Sequence, residues 1–239
     1  MRDYSEQILD GEGADDYARY MRTDTLLSLQ RRPDEVIHRD ELLFQVVHQS
    51  TELWLKLAGS ELQEAAARIR ARELDAAVGL LRRAGLGIEL VTDQLEMMRH
   101  LSPWDFQTIR TVLGHGSGAD SPGWRSVQRC GRALDRDFTA LVKERDIDLA
   151  ELYRDRQGSP EHRLAEALVE WDERVSLWRV RHYKVTTRII GTQVVGTQGT
   201  PVDVLARLIE YKFFPELWAV RTELTLTGPM GRSHETEPA

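Results

Sequence analysis

A histidine interrupts an otherwise apolar helix face in the last third of the chain. Steps of four and three residues place His182 between Trp178 and Val185 on one side of a predicted helix. The other apolar members of this face are Trp171, Val175 and Ile189. Two interpretations stay open for the imidazole. It is either a core side chain hydrogen-bonded to a backbone carbonyl, or an axial metal ligand, since imidazole suits iron and large apolar walls suit a flat macrocycle.

A second histidine lies on a helix that is apolar on two sides. One side carries Phe44, His48, Thr51 and Leu55, and the other carries Leu43, Val47 and Trp54. Because both sides are apolar, we expect this helix to be buried on both. His48 is then either a hydrogen-bonded core residue or part of a pocket wall, where it meets a polar atom of a bound ring.

An arginine shares an apolar sector with a phenylalanine on a third predicted helix. Ser102 and Pro103 mark the start of this helix, and Phe106 and Arg110 lie one turn apart within it. Arg110 is either half of a surface ion pair or, if buried, a bidentate clamp for a carboxylate. The loop that follows places Ser117 where backbone N–H groups are available to a ligand.

The polar segment 196–200 is either a connector or a lid that becomes ordered when a ligand binds.

The sequence matches the motifs of other catalytic and metal sites poorly. The single Glu-x-x-His pair, Glu35 and His38, lies beside Pro33 and outside a convincing helix, which disfavours a di-iron bundle. Signatures of zinc sites, nucleophile elbows and dinucleotide-binding loops do not occur.

These residues are carried by a chain whose pattern is helical almost throughout. The sequence predicts an all-α bundle with long helices and a pocket between them, in one domain spanning 1–239. We expect a loose arm over 1–15 and a mobile tail over 227–239. A short strand is conceivable only near 193–195. The predicted helices span about 16–30, 40–72, 74–99, 103–114, 125–143 and 160–190, with a last segment that starts near 203 and is interrupted by Pro215.

Composition narrows the class of protein further. The chain has 239 residues, of which 41% are hydrophobic and 30% are charged, so a disordered chain is excluded. A net charge of −7 disfavours nucleic acid as a partner. The single cysteine, Cys130, permits no internal disulfide. With neither a secretory signal nor an 18-residue apolar run, we expect a cytoplasmic protein without a membrane partner.

Several ordered motifs together resemble the tryptophan 2,3-dioxygenase family. The segment from Asp40 to Lys56, with its Phe44, His48-Gln49 and Glu52-Leu53-Trp54, is similar to the signature helix of that family. The resemblance covers most of the chain. Its other parts are Tyr17-Ala-Arg-Tyr20-Met21, Phe106 to Arg110 followed by Ser117-Gly118, Arg181-His182 leading to Ile190-Gly191, and Phe213-Phe214-Pro215-Glu216-Leu217.

The resemblance implies a helical homotetramer, a dimer of dimers, in which each subunit binds haem b. It assigns His182 as the axial iron ligand and His48 as the catalytic residue near the indole N–H of the substrate. Phe44 and Phe106 would pack at the substrate, and Arg110, Ser117 and Thr197 would hold its amino-acid end. Tyr17, Tyr20 and Met21 would reach the site of a neighbouring subunit.

The implied reaction adds oxygen from O₂ to the indole C2–C3 bond of L-tryptophan or a substituted tryptophan, giving N-formylkynurenine in tryptophan catabolism. Three departures from the family pattern leave alternative functions open. Residues 196–201 read Gly-Thr-Gln-Gly-Thr-Pro where the family has Gly-Thr-Gly-Gly-Ser-Ser-Gly. Ser117-Gly118 is followed by Ala119 and an extra Asp-Ser-Pro-Gly, and the stretch from Arg110 to His182 is short. A monooxygenase that forms a 2-oxindole in natural-product biosynthesis, or a non-catalytic haem sensor, are the alternatives.

Overall fold

Four long helices, α3, α4, α7 and α9, form most of the structure, a computed structural model that describes residues 6–231. The predicted all-α class is confirmed. Within the described residues the only β pairing is a single bridge between Val195 and Pro201, where the sequence suggested a short strand. The helices are α1 Asp16–Met21, α2 Thr23–Leu27, α3 Glu41–Arg70, α4 Leu74–Asp93, α5 Leu95–Met98, α6 Pro103–Arg110, α7 Pro122–Glu144, α8 Leu149–Asp155, α9 Pro160–Ile190, α10 Asp203–Arg207 and α11 Pro215–Thr227.

Serine followed by proline starts three of these helices. The hydroxyls of Ser102, Ser121 and Ser159 each accept a hydrogen bond from the backbone N–H three residues on, and a proline occupies the first turn. Gly191 ends α9 with a φ of 87°, a value that favours glycine. The predicted starts at 103 and 160 and the predicted end at 191 are therefore confirmed.

Some predicted helix boundaries are wrong, for local reasons. The helix predicted over 16–30 is two helices, because Arg22 adopts a left-handed φ of 53°. The helix predicted over 74–99 changes to i→i+3 bonding after Gln94, and the one predicted to reach Gly114 ends at Arg110 in the same way. Helix α8 was not predicted. Pro215 begins α11 instead of interrupting a helix.

The four long helices pack as a bundle in which α3 and α7 run in one direction and α4 and α9 run in the opposite direction. The short connection 71–73 makes α3 and α4 antiparallel. Helix α9 runs parallel to α4, because Asp75 pairs with Arg163 and, further along both helices, Glu89 pairs with Arg174. Helix α7 runs parallel to α3, from Gly123 beside Glu52 to Glu144 beside Arg72. The start of α3 therefore lies at the same end of the bundle as the end of α9.

Two apolar clusters fill the bundle. The larger one draws on all four long helices, α8 and α11, and includes the fully buried Leu62, Leu81, Leu134 and Trp171. The smaller one lies where α3 starts and α9 ends. Its buried members are Val47, Leu95, Met98, Leu101, Ile109, Val185 and Ile189, and Phe44, Phe106 and Trp178 pack against it.

A buried carboxylate joins the end of the chain to α9. Asp172 is only 1% exposed, and its Oδ2 accepts hydrogen bonds from the backbone N–H groups of Phe213 and Phe214 and from Nε1 of Trp218. These bonds satisfy donors at the start of α11, where the chain has no capping side chain of its own. Asp172 thus fixes the Phe213-Phe214-Pro215 turn against the helix that carries His182.

The ends of the chain are described in part. Residues 6–15 contain no helix, and the N–H groups of Ile8 and Leu9 donate to the Asp16 carboxylate at the start of α1. Residues 1–5 of the predicted arm lie outside the described part. Helix α11 ends at Thr227, where the tail was predicted to begin, and residues 232–239 of that tail are likewise not described. Within residues 6–231, none of the helices combines the length and apolar character needed to cross a membrane.

Gly131 provides a test of the packing between α7 and the Phe213 turn. A Cβ at this position would lie 2.5 Å from Cδ1 of Phe213 and 3.0 Å from the Trp171 ring, so we expect Gly131→Ala to lower the free energy of unfolding by about 1–3 kcal/mol. Gly79→Ala is the control, because nothing lies within 4 Å of its Cβ position. That change should raise stability by up to about 1 kcal/mol. Urea unfolding measures both, and equal stabilities for the two variants would contradict the packing.

Candidate functional site

One wall of the candidate site is a row of aromatic rings that ends on His182. The rings of Trp124 on α7 and Trp178 on α9 have centroids 3.9 Å apart. Trp178 in turn stacks on His182, with centroids 4.8 Å apart and planes only 9° from parallel. The row fixes the orientation of the imidazole and connects it to the start of α7.

The opposite wall is a second aromatic row, from α6 to α3. The centroids of Phe106 and Phe44 lie 5.9 Å apart, and those of Phe44 and His48 lie 4.1 Å apart. Nδ1 of His48 is 2.7 Å from the carbonyl oxygen of Phe44, one turn back on α3. Because a carbonyl oxygen only accepts, Nδ1 carries the proton in this geometry and Nε2 keeps a free lone pair.

Both imidazoles are neutral at pH 7. Burial, with a smaller contribution from His48, lowers the pKa of His182 to about 4. Partial withdrawal from water lowers the pKa of His48 as well, although the Phe44 carbonyl and the Glu52 carboxylate oppose this shift.

The surroundings of His182 fit a metal ligand. The sequence left open a core histidine bonded to a backbone carbonyl, but no hydrogen bond to the ring occurs among residues 6–231. The neighbouring Trp178 Nε1 is buried without a hydrogen-bond partner within that range. An imidazole that makes no hydrogen bond to the protein, stacked on such an indole, fits a site for a large bound group, and neutral imidazole is the form that ligates iron.

A second set of possible metal ligands lies one turn away from the aromatic walls. Atoms of His38, Asp40 and Asp105 come within 4.8 Å of one another. Their own contacts account for this, because His38 Nδ1 accepts the Asp40 N–H and its Nε2 lies 3.6 Å from the Asp105 carboxylate. The group ties the start of α6 to the start of α3, next to Phe106 and Phe44.

Arg110 has no acidic partner among the described residues. Its guanidinium donates to the backbone carbonyl of Val195 at 3.3 Å and to Gln107 at 3.4 Å, so the surface ion pair that the sequence left open does not form. The group borders a pocket of about 540 Å³. The other lining residues are Thr192, Gln193, Val194, Val195, Pro201 and Asp203. Neither His48 nor His182 lines this pocket.

The predicted lid and the loop after α6 meet above Arg110. The Thr197 hydroxyl donates to the carbonyl of Gly116. The hydroxyl of Ser117 instead caps a short turn by accepting the Ala119 N–H at 3.2 Å. The structure therefore brings Thr197 and Ser117 together at this edge of the site.

The three residues of the N-terminal motif stand apart from this site within a single chain. Tyr17, Tyr20 and Met21 are 67%, 76% and 53% exposed. Their assignment to a neighbouring subunit stays a prediction.

The sequence did not identify the contributions of Glu52 and Trp124 to the site. Trp124 packs on Trp178 in the aromatic row that ends on His182. The Glu52 carboxylate accepts the Ser121 hydroxyl and, at 2.9 Å, the Gly123 N–H, so it caps α7 from α3. The bond requires a close approach, since a Cβ on Gly123 would lie 2.6 Å from Cβ of Leu55. The signal was the Ser121-Pro122-Gly123 helix start, but nothing in its spacing identifies an acceptor 71 residues away.

Comparisons with known proteins agree on one family. The family model described as tryptophan 2,3-dioxygenase matches residues 4–132. A tryptophan 2,3-dioxygenase of Arthrobacter sp. (strain FB24) is 29% identical over 94% of both chains. Similar proteins of the same name come from Kineococcus radiotolerans, 32% identical over 87% of this chain and 91% of that one, and Bacillus thuringiensis (strain Al Hakam), 32% identical over 87% and 92%.

Glu52→Gln tests the cap that joins the two walls. The amide retains one acceptor oxygen but puts N–H donors near the Gly123 N–H, so we expect a loss of about 1–2 kcal/mol in the free energy of unfolding. Glu64→Gln on the same helix is the control, because Glu64 pairs only with the exposed Arg68 and should change stability by less than about 0.5 kcal/mol. Urea unfolding compares the two variants. Equal losses in the free energy of unfolding would show that the Glu52 cap stabilises the protein no more than an exposed ion pair does.

Proposed function

The chain belongs to the tryptophan 2,3-dioxygenase family, and on this premise we propose that it is a haem-dependent dioxygenase acting on L-tryptophan or a substituted tryptophan. The product is N-formylkynurenine, formed when both oxygen atoms of O₂ are inserted, one on C2 and one on C3, and the indole C2–C3 bond is broken. The observation that carries the proposal is a set of side chains with unused binding capacity. His182 offers a neutral imidazole, His48 keeps Nε2 free, and Arg110 has no carboxylate partner among residues 6–231.

We propose that His182 would hold haem b through its imidazole, and the bound haem would supply the activation of O₂. The parallel stacking of Trp178 on its ring supports this, because the stack fixes the direction in which the imidazole lone pair points. Trp124 extends the apolar wall behind Trp178. An apolar wall excludes water from the reacting atoms.

Arg110 binds the carboxylate of the substrate in this proposal. Its present bonds to Val195 and Gln107 are both long and both to neutral acceptors. A carboxylate offers two parallel charge-assisted bonds to the same donors, which are stronger. Ser117 and Thr197 lie beside the clamp and hold the amino-acid end, with the Thr197 hydroxyl near the amino group.

His48 orients the indole in this proposal and does not need to remove a proton. Since Nδ1 is held by the Phe44 carbonyl, Nε2 is the free acceptor for the indole N–H. Phe44 and Phe106 supply the apolar surface against which the indole packs. A substrate held by the carboxylate at one end and the N–H at the other presents C2–C3 in one orientation, which lowers the entropic part of the barrier.

We propose a homotetramer, a dimer of dimers, in which Tyr17, Tyr20 and Met21 complete the site of a neighbouring subunit. Their exposure supports this, because apolar side chains that are more than half exposed are available to a partner. The expected location is the cytoplasm, on sequence grounds alone.

The decisive experiment is mass spectrometry of the product formed by haem-loaded protein from L-tryptophan, O₂ and a reductant. We expect a product that gains two oxygen atoms, and loss of both Soret absorbance and product in His182→Ala. His100→Ala, an exposed histidine, is the control that should retain both. Gain of one oxygen atom would favour the 2-oxindole alternative instead, and unchanged tryptophan with haem bound would contradict an oxygenase.

Arg110→Lys tests the carboxylate clamp. Lysine keeps the charge but not the planar fork, so we expect KM for L-tryptophan to rise about 10- to 100-fold. Binding of tryptamine, which lacks the carboxylate, should change little. Arg129→Lys, a surface arginine of α7, is the control. If L-tryptophan and tryptamine respond equally to the Arg110 change, the guanidinium does not bind the carboxylate.

A further inference from the structure

The segment 194–202, here called the cover hairpin, is closed by its own backbone. The Val202 N–H donates to the Val194 carbonyl at 3.2 Å, and the Gly196 N–H donates to the Thr200 carbonyl at 2.9 Å. The Gly199 N–H completes the turn at its tip by donating to the Gly196 carbonyl, with Gly199 at a φ of 74°. These three hydrogen bonds close the hairpin within its own backbone.

Side chains hold the cover hairpin to its neighbours at three places. Arg110 donates to the Val195 carbonyl at its base. At its tip the Thr197 hydroxyl donates to the Gly116 carbonyl, and Nε2 of Gln198 donates to Oδ2 of Asp120 at 2.6 Å. The last two bonds cross to the loop 116–120, which follows α6.

Asp120 is itself fixed before it receives Gln198. Arg125 on α7 donates to its Oδ1 at 2.8 Å, and the Ser117 N–H donates to its Oδ2 at 3.3 Å. A carboxylate held from two other sides loses little freedom when a third donor binds it, and bonds to an ionised acceptor are the stronger kind.

Gln198 and Asp120 are 78 residues apart in the chain and meet in one hydrogen bond. The bond therefore joins the hairpin to a segment that belongs to a different part of the chain. Pro201 also restricts the backbone at the base of the hairpin.

We propose that the bond between Gln198 and Asp120 holds the cover hairpin closed over Arg110 before substrate arrives. Gln198 and Asp120 are then positioning residues, which act through Thr197. The inference rests on the proposed function only in that Thr197 contacts the substrate. As a consequence, the hairpin loses its conformational entropy when the protein folds and not when the substrate binds. Binding then carries a smaller entropic cost, which lowers KM.

Hydrogen exchange of residues 194–202 in the haem-loaded protein tests this directly. In the natural sequence we expect slow exchange that tryptophan hardly changes. In Gln198→Ala we expect faster exchange without tryptophan and recovered protection with it. KM should rise about fivefold, the factor that one lost hydrogen bond gives, with kcat within about twofold. Gln128→Ala on the surface of α7 is the matched control and should change neither quantity.

A double-mutant cycle separates the bond from general loosening of the loop 116–120. Asp120→Ala should speed exchange of 194–202 as well, and adding it to Gln198→Ala should give little further effect. Equal exchange of 194–202 in Gln198→Ala and the natural sequence would overturn the proposal, as would fully additive effects. Absence of tryptophan oxidation with the exchange pattern intact would overturn the proposed function and leave the closed hairpin standing.

Discussion

The structure depends on keeping one imidazole neutral and without a protein partner. An unpaired polar nitrogen in an apolar wall costs free energy, and folded proteins keep few of them. Here Nε1 of Trp178 is buried without a partner among the described residues, and the His182 ring is stacked on that indole. The stack on Trp178 prevents the imidazole from turning toward a substitute acceptor. In the proposed function a bound group would use the imidazole lone pair, and this requires α9 to be held in a fixed position.

The restraint on α9 comes from several directions. Ion pairs from α4 fix its first half, and the buried carboxylate of Asp172 fixes it to the turn before α11. Near His182 the contact is aromatic and comes from Trp124 on α7. Helix α7 is in turn capped by Glu52 of α3, one turn beyond His48. The two imidazoles are thus connected through one short path, α3 to α7 to α9, so their relative position does not depend on loops.

Local sequence patterns predicted the long helices and their apolar faces. The features that they did not predict are mainly contacts between residues far apart in the sequence. The four-three spacing around His182 depends only on helix period, and each Ser-Pro start depends only on residues within one turn. The cap of α7 by Glu52 and the tie of Asp172 to the Phe213 turn join residues far apart in sequence, which no local pattern encodes. The break at Arg22 is also invisible, since arginine carries no signal for a left-handed φ.

The closed cover hairpin and the carboxylate clamp are compatible because of the kind of acceptor that Arg110 holds. The Val195 carbonyl is neutral and lies 3.3 Å from the guanidinium, so this bond is weak. In the proposed function, a substrate carboxylate would offer two charged oxygens to the same guanidinium and would displace the carbonyl. The hairpin tip has its own attachments at Gly116 and Asp120, so releasing Val195 at the base would not free Thr197. The proposed clamp therefore does not require the hairpin to open.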